Sequence, residues 1–491
     1  MVRVWMWTAA MIGCGSSDGG GGALTPATDG ATGTTVTTET TGTSGTTGTT
    51  GTTGTTSTTT PGTGDLGASC SPTSNALRFD CTATGSGALS WSILDGSVTL
   101  RTLESDGPDH EVTLYGMAPN RSYTWEVAGA AGTASGTIGT GSLPSGIDDM
   151  SVRTSGATSQ IDTYLFPYTC GSAWLVVANT EGDVVWYEEG TSSGGGGPSD
   201  GVSGFAASDN NTFVAALAGT RVAEWTMGGD RLMDATDFDE PLHHDVHVWD
   251  DKVYALTEFE ASGQIVDGFY VVDDEGRTVA EWNIADHVAI TGGGGGGGPG
   301  GGGPGGPGGA SEWSHGNSIY VDDGKALLSL RWQNAVVEVE ADPDSPNFGD
   351  INWILTGDDS DLDSDFSWAG GGGFNGQHHA RWTAEGELSV FDNRERGDDS
   401  RALRMELDMG SMTVRETYAW SLGEHCDIQG ANYDLEGGGL MVTCGDGSWG
   451  AVVNPSTDTA EWEVEVSCSS SGGGGGPGGA VLPRLMPLAH W

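Results

Sequence analysis

At 491 residues the chain has room for two or three domains, and its 85 glycines lie largely in simple runs that cannot build a core. A net charge of −50 argues against nucleic acid or an anionic membrane surface as partner, because both are recognised by basic patches. The same acidity makes any local cluster of Arg, His and Asn conspicuous, since little else here would attract an anion.

In chain order, residues 1–14, MVRVWMWTAAMIGC, carry one arginine and a short apolar run that ends in Met-Ile-Gly-Cys. The segment resembles a bacterial lipoprotein signal with Cys14 as the lipidated residue, and the run is too short to span a bilayer. An exported lipoprotein is therefore expected, periplasmic or at the cell surface on the outer membrane, touching the membrane only through its lipid. Residues 15–65 are mostly Thr and Gly and read as a disordered stalk. Residues 66–146 alternate polar and apolar in short runs such as LRFDCTAT, LSWSIL and SYTWEVAG, the pattern of a small β-sandwich. Within them, LYGMAPNRSYTWEV resembles fibronectin type III domains.

From 147 to 470 the chain repeats itself. Trp186, Trp225, Trp282, Trp353, Trp420 and Trp462 each fall at or near the end of an apolar strand. The clearest units open with a strand, a Gly- or Asp-containing turn and a second strand, as in HDVHVWDDKVYAL and HGNSIYVDDGKALLSL. Six similar units of about four strands predict an all-β, six-bladed β-propeller. The Gly/Pro run 292–309 reads as an expanded linker, and the acidic run 357–366 as a solvated loop rather than a calcium site. Residues 471–491 form a Gly-rich linker and a short apolar tail able to dock back on the body. Beyond Cys14 there are six cysteines. Cys426 and Cys444 flank a turn almost symmetrically, and Cys70 lies close to Cys81, which leaves Cys170 for Cys468, with other connectivities open.

Aligning the opening strands places His244, His315 and His378 in one register, eight or nine residues before the turn. First strands line the channel of a propeller, so the three converge. A hairpin symmetric about Asp323 pairs Arg331 with His315, and Asn317 lies two residues on, on the same face. By the same symmetry Asn393 falls opposite His378. No acid occupies the matching positions, and the cluster invites an anion. Three histidines would also suit zinc, but the adjacent Arg331 repels a cation, so neither a metal nor another cofactor is expected. His243, His247 and His379 lie off the register and read as structural.

Four stretches, LHHDVHV, WSHGNSIYVDDGKALLSLRWQNAVVEV, FNGQHHARWTAEGELSVFDN and DDSRALRMEL, resemble the bacterial arylsulfotransferases (aryl-sulfate sulfotransferases). The resemblance covers roughly 165–465, the tail PRLMPL and the preceding sandwich domain. It implies a six-bladed propeller carrying a sandwich, and transfer of a sulfuryl group from a phenolic sulfate ester to a phenol without a nucleotide donor. It implies further that His378 is the transient sulfohistidine of a ping-pong reaction, with His244, His315, Asn317 and Arg331 in the same site. Two positions depart from the family pattern: Trp332 follows Arg331 where His is usual, and His379 follows His378 where Asp is usual. The second leaves the partner that orients His378 open. A reading from another class is a non-catalytic surface propeller that binds an anionic or aromatic ligand.

Overall fold

The computed structural model describes residues 58–60, 66–169, 173–190, 201–208, 210–290, 311–394, 397–445, 447–468, 482 and 484–488. Residues 1–14 with Cys14, most of 15–65, Cys170, the run 292–309 and most of the linker after Cys468 lie outside the described residues. Within them the protein is all-β, with a single helical turn at Ile284–Asp286 and no helix long and apolar enough to cross a membrane.

Residues 66–139 form two antiparallel sheets. One joins Gly67–Pro72, Phe79–Thr84 and Asp109–Leu114; the other runs Gly132–Gly139, Ser122–Gly129, Leu89–Asp95, Val98–Ser105. Alternate residues of both, among them Phe79, Cys81, Trp91, Ile93, Trp125 and Val127, share one core, as the two-residue period dictates. Cys70 and Cys81 are cross-strand partners and are joined by a disulfide. Thr58–Thr60, inside the stretch read as a stalk, adds an edge strand against Ser135–Thr137.

From Met150 onward six further sheets follow one another, each built on four antiparallel strands. The inner strands of neighbouring sheets lie against one another in sequence, from Val202–Ala207 through Leu242–Trp249, Gly316–Asp322 and His378–Trp382 to Ala431–Asp434. Five of the six tryptophans are buried, Trp420 being half-buried. Their indoles stitch sheet to sheet: Trp186 Nε1 donates to Met227 O (2.8 Å), Trp282 to Gly349 O (3.0 Å) and Trp462, from the last sheet, to Thr180 O of the first (3.0 Å). Each indole thereby places a large apolar face between sheets and satisfies its one donor.

The two ends of this region are fastened as well. Met150–Gly156 forms the outer edge of the last sheet, paired with the strand Thr459–Cys468. The tail docks as the sequence suggested, Met486–Leu488 pairing with Thr163–Leu165 as the inner strand of the first sheet. Leu485 N donates to Thr443 Oγ1 of the last sheet (3.0 Å). Arg484 is buried beside it, bonded to Asp245 and to Phe205 O (2.5 Å), with its guanidinium 4.5 Å from the Phe205 ring. A buried ion pair loses most when one partner is removed, because the other charge stays behind without compensation. Arg484→Met should therefore cost about 3–5 kcal/mol, read as a lower urea midpoint. The double variant Arg484→Met/Asp245→Asn should recover part of that loss.

Candidate active site

A pocket opens between the inner strands, lined among others by His244, Asn317, His378, His379, Gln429 and Arg484. The histidines reach it through a repeated irregularity of the backbone. The hairpin around Asp323 turns on two left-handed residues, Asp323 (φ 47°) and Gly324 (φ 73°), the Asp-Gly pair of a two-residue turn that matches strand twist. Its register is centred half a residue beyond Asp323, with Asp322 facing Lys325, which alone would miss the expected pair. Between Gly316 and Ser318 the register slips by one, and Arg331 N then donates to His315 O (3.0 Å). The expected His315–Arg331 pairing is thus correct, but a bulge at Asn317 produces it.

Similar slips interrupt the inner strands between Leu242 and Val246 and between His378 and Arg381. His244 (φ 51°), His315 (φ 49°) and His379 (φ 56°) sit at these places in left-handed backbone, a conformation that non-glycine residues hold only where their surroundings enforce it. Gly316 is required by close packing: a Cβ there would lie 2.9 Å from Asp267 Cβ.

His378 is buried, and its Nδ1 faces two oxygens, Asn393 Oδ1 at 2.7 Å and Gly376 O at 3.2 Å. The Asn393 amide nitrogen donates to Cys426 O (2.9 Å) and Gln429 O (2.8 Å), which fixes its oxygen toward the histidine. Two acceptors at Nδ1 require the proton there, so Nε2 carries the lone pair. Burial first, then the Arg331 charge, hold the ring's pKa well below the ordinary value. His378 is therefore a neutral imidazole of one tautomer. Asn393, which the symmetry placed opposite His378 as a substrate-binding candidate, has its amide engaged by Cys426 O and Gln429 O and orients His378. It takes the orienting role that the missing aspartate left open.

His315 lies with its ring 4.9 Å from that of His244 and 5.1 Å from the indole of Trp332. No acid stands at the matching hairpin positions, but the fold brings one from outside the hairpin. Glu312, in the two-residue strand Ser311–Glu312 that pairs with Gln264–Ile265, places Oε2 2.6 Å from His315 Nδ1 and accepts from Trp332 Nε1 (3.1 Å). Arg331 lies with its guanidinium 4.6 Å from the Trp332 ring, and its Nη2 donates to Asp427 O (2.9 Å). Asn317 is buried and donates from Nδ2 to Gln377 O (2.7 Å), while its Oδ1 has no described partner. The fold thus brings together every residue the register predicted.

The region also holds residues the register had set aside. His379 lines the pocket, accepting from Arg381 Nε at its Nε2 (2.9 Å). His243 contacts His244 directly, Nδ1 to Nδ1 at 2.7 Å. Strict alternation would put consecutive residues on opposite faces, but the slips suspend it. His247 does have a structural place: its Nδ1 accepts from Val321 N (3.2 Å), and its ring meets Tyr320 at 4.8 Å. The Cys426–Cys444 disulfide is present and anchors the loop whose carbonyls hold Asn393 and Arg331. Cys468 is also disulfide-bonded.

The sequence model of the family described as Arylsulfotransferase (ASST) matches residues 166–450, more than half of the chain. No curated protein matches the chain. Among solved structures, a protein of unknown function from Bacteroides caccae is 11% identical, with 58% of this chain and 83% of that chain covered and a TM-score of 0.38. A catalytically inactive virginiamycin B lyase from Staphylococcus aureus, solved with quinupristin, is 12% identical, covering 64% and 88% at 0.37. A nidogen/laminin complex is 10% identical, covering 63% and 99% at 0.38. At these scores the likenesses carry no argument about this chain.

The hydrogen-bond pattern sets a spectroscopic expectation. At about pH 6, below the ordinary histidine value, His378 should remain neutral with its proton on Nδ1, because burial and Arg331 disfavour the cation. Long-range 1H–15N correlation of the imidazoles checks this. An imidazolium at His378, or a proton on its Nε2, would contradict the assignment.

Proposed function

This chain belongs to the arylsulfotransferase family, and we propose that it moves a sulfuryl group from a phenolic sulfate ester to a phenol through a sulfohistidine at His378, without a nucleotide sulfate. One observation carries the reading: the neutral His378, whose Nδ1 proton is held by Asn393 and Gly376 and whose Nε2 therefore keeps its lone pair. Such a nitrogen can attack sulfur without first losing a proton.

In the first half-reaction the His378 Nε2–S bond forms and the bond from sulfur to the ester oxygen breaks, the phenolate leaving with the electron pair. In the second, a phenol oxygen attacks the same sulfur and the N–S bond breaks. Sulfuryl transfer resembles phosphoryl transfer, whose loose transition state needs in-line positioning and charge balance more than proton movement. Arg331 supplies a planar cationic fork, and Asn317 with His315 adds polar groups around the sulfuryl oxygens. A donor proton assists the departing phenolate. The six successive sheets, joined last to first by Trp462 and the tail strand Met486–Leu488, support reading 147–470 as the six-bladed propeller. The strand order of 66–139 supports the fibronectin-type-III-like sandwich.

The test uses 4-nitrophenyl sulfate with a phenol acceptor. Acceptor-dependent nitrophenol release is expected from the wild type, and His378→Asn should lower it by about three orders of magnitude or more. After donor alone, mass spectrometry should find one sulfuryl group on wild-type and Arg331→Lys protein and none on His378→Asn. Release without acceptor would indicate a sulfatase. No release, with retained ester binding, would indicate a binding protein. We propose separately that Cys14 carries lipid on an exported form: palmitate label should enter the wild type and be lost in Cys14→Ala.

A further inference from the structure

Behind the pocket lies a chain of ionisable groups that the reaction as written does not use. Asp267 is buried in the strand Gln264–Val272 and bonded by the Ser314 hydroxyl, with its Oδ1 3.0 Å from His243 Nε2. His243 Nδ1 lies 2.7 Å from His244 Nδ1, with the two rings nearly perpendicular at 87°. His244 in turn lines the pocket with His378. One proton must lie between the two Nδ1 atoms, and the surroundings decide which ring owns it.

Burial acts against charge on both rings. For His243 the adjacent Asp267 carboxylate, with Glu258 and the Thr257 backbone, outweighs burial and raises its pKa above the ordinary value. For His244 burial is reinforced by the nearby His315, His243, His378 and Arg331, and its pKa falls well below. His243 is then the imidazolium, donating from Nδ1, and His244 is neutral, accepting at Nδ1 with its proton on Nε2. A neutral imidazole is a poor acid by itself, since giving up that proton would leave an imidazolate. It can pass a proton on if it receives one at Nδ1 in the same event.

We propose that Asp267 and His243 form a proton relay that makes His244 the general acid for the departing phenolate. This rests on the sulfotransferase reading above. As the ester S–O bond breaks, His244 Nε2–H protonates the phenolate oxygen, His243 Nδ1 passes its proton to His244 Nδ1, and His243 is left neutral beside Asp267. In the second half-reaction the acceptor phenol returns its proton along the same path while its oxygen bonds to sulfur. His243 and Asp267 are positioning residues, acting only through His244.

A proton donor matters in proportion to the basicity of the leaving group, and a merely structural role does not. Asp267→Asn keeps the side-chain size and removes the charge that holds His243 protonated. Its loss of kcat/KM with phenyl sulfate should exceed its loss with 4-nitrophenyl sulfate by about 100-fold, within the range of a positioned acid. His243→Phe should show the same divergence if the first variant folds poorly. Equal losses on both esters would overturn the relay. Imidazole 1H–15N spectra of the wild type at about pH 7 test it without turnover: His243 should carry both protons and His244 a proton on Nε2 only. A proton on His244 Nδ1 would overturn the relay whatever the activity. The expected tautomers in a protein that turns over neither ester would instead fault the sulfotransferase reading.

Discussion

Three parts of the chain meet on the buried carboxylate of Asp245. Its oxygens accept from the Arg484 guanidinium of the tail, from Val246 N at 2.8 Å on its own strand, and from Ile319 N at 3.1 Å on the next inner strand. A buried charge is tolerated only when such donors compensate it. The arrangement therefore fixes the spacing between the third and fourth sheets and ties both to the tail that joins first sheet to last. His244 precedes Asp245 directly and Asn317 lies two residues before Ile319, so the pocket inherits this rigidity. Without the tail, the carboxylate would sit in an apolar interior with only backbone donors.

The second organising feature is the contrast between surface and pocket. The chain carries a net charge of −50, yet Arg331, Arg381 and Arg484 lie beside or near the pocket, and Arg484 is fully buried. Burial and these cations depress His244, His378 and His379 together. A neutral imidazole has a lone pair where an imidazolium has none, so the same field that would attract an anion also keeps the His378 Nε2 lone pair free. His243 is the exception, because Asp267 compensates it locally. Two adjacent histidines are thus biased in opposite directions by their separate neighbours.

Much of this was legible before any fold was known. Alternating runs, Asp-Gly turns and recurring tryptophans announce the sheets because strand period and turn chemistry are local properties. The register of His244, His315 and His378 follows from the same periodicity, and Asn393 was correctly placed beside His378. Its hydrogen bonds were not legible, since only the fold shows Cys426 O and Gln429 O occupying its amide. Trp332, noted as a departure from the family pattern, lies under the Arg331 guanidinium, meets His315 at a tilt and shares Glu312 with the latter.

The sequence by itself determined the all-β class, the repeating units and the inner-strand histidines, because each depends on spacing within one or two strands, while four motifs carried the resemblance to the arylsulfotransferases. Tertiary structure alone decided where the alternation breaks. The slips near His243, Asn317 and His379 bring side chains together that strict alternation would separate. It alone brought Glu312 to His315, Asp267 to His243 and Arg484 to Asp245. Two of these contacts join strands or segments that lie far apart in the chain, and the third crosses an irregular segment. No local period encodes such meetings; the need to compensate buried charge selects them once the sheets have closed.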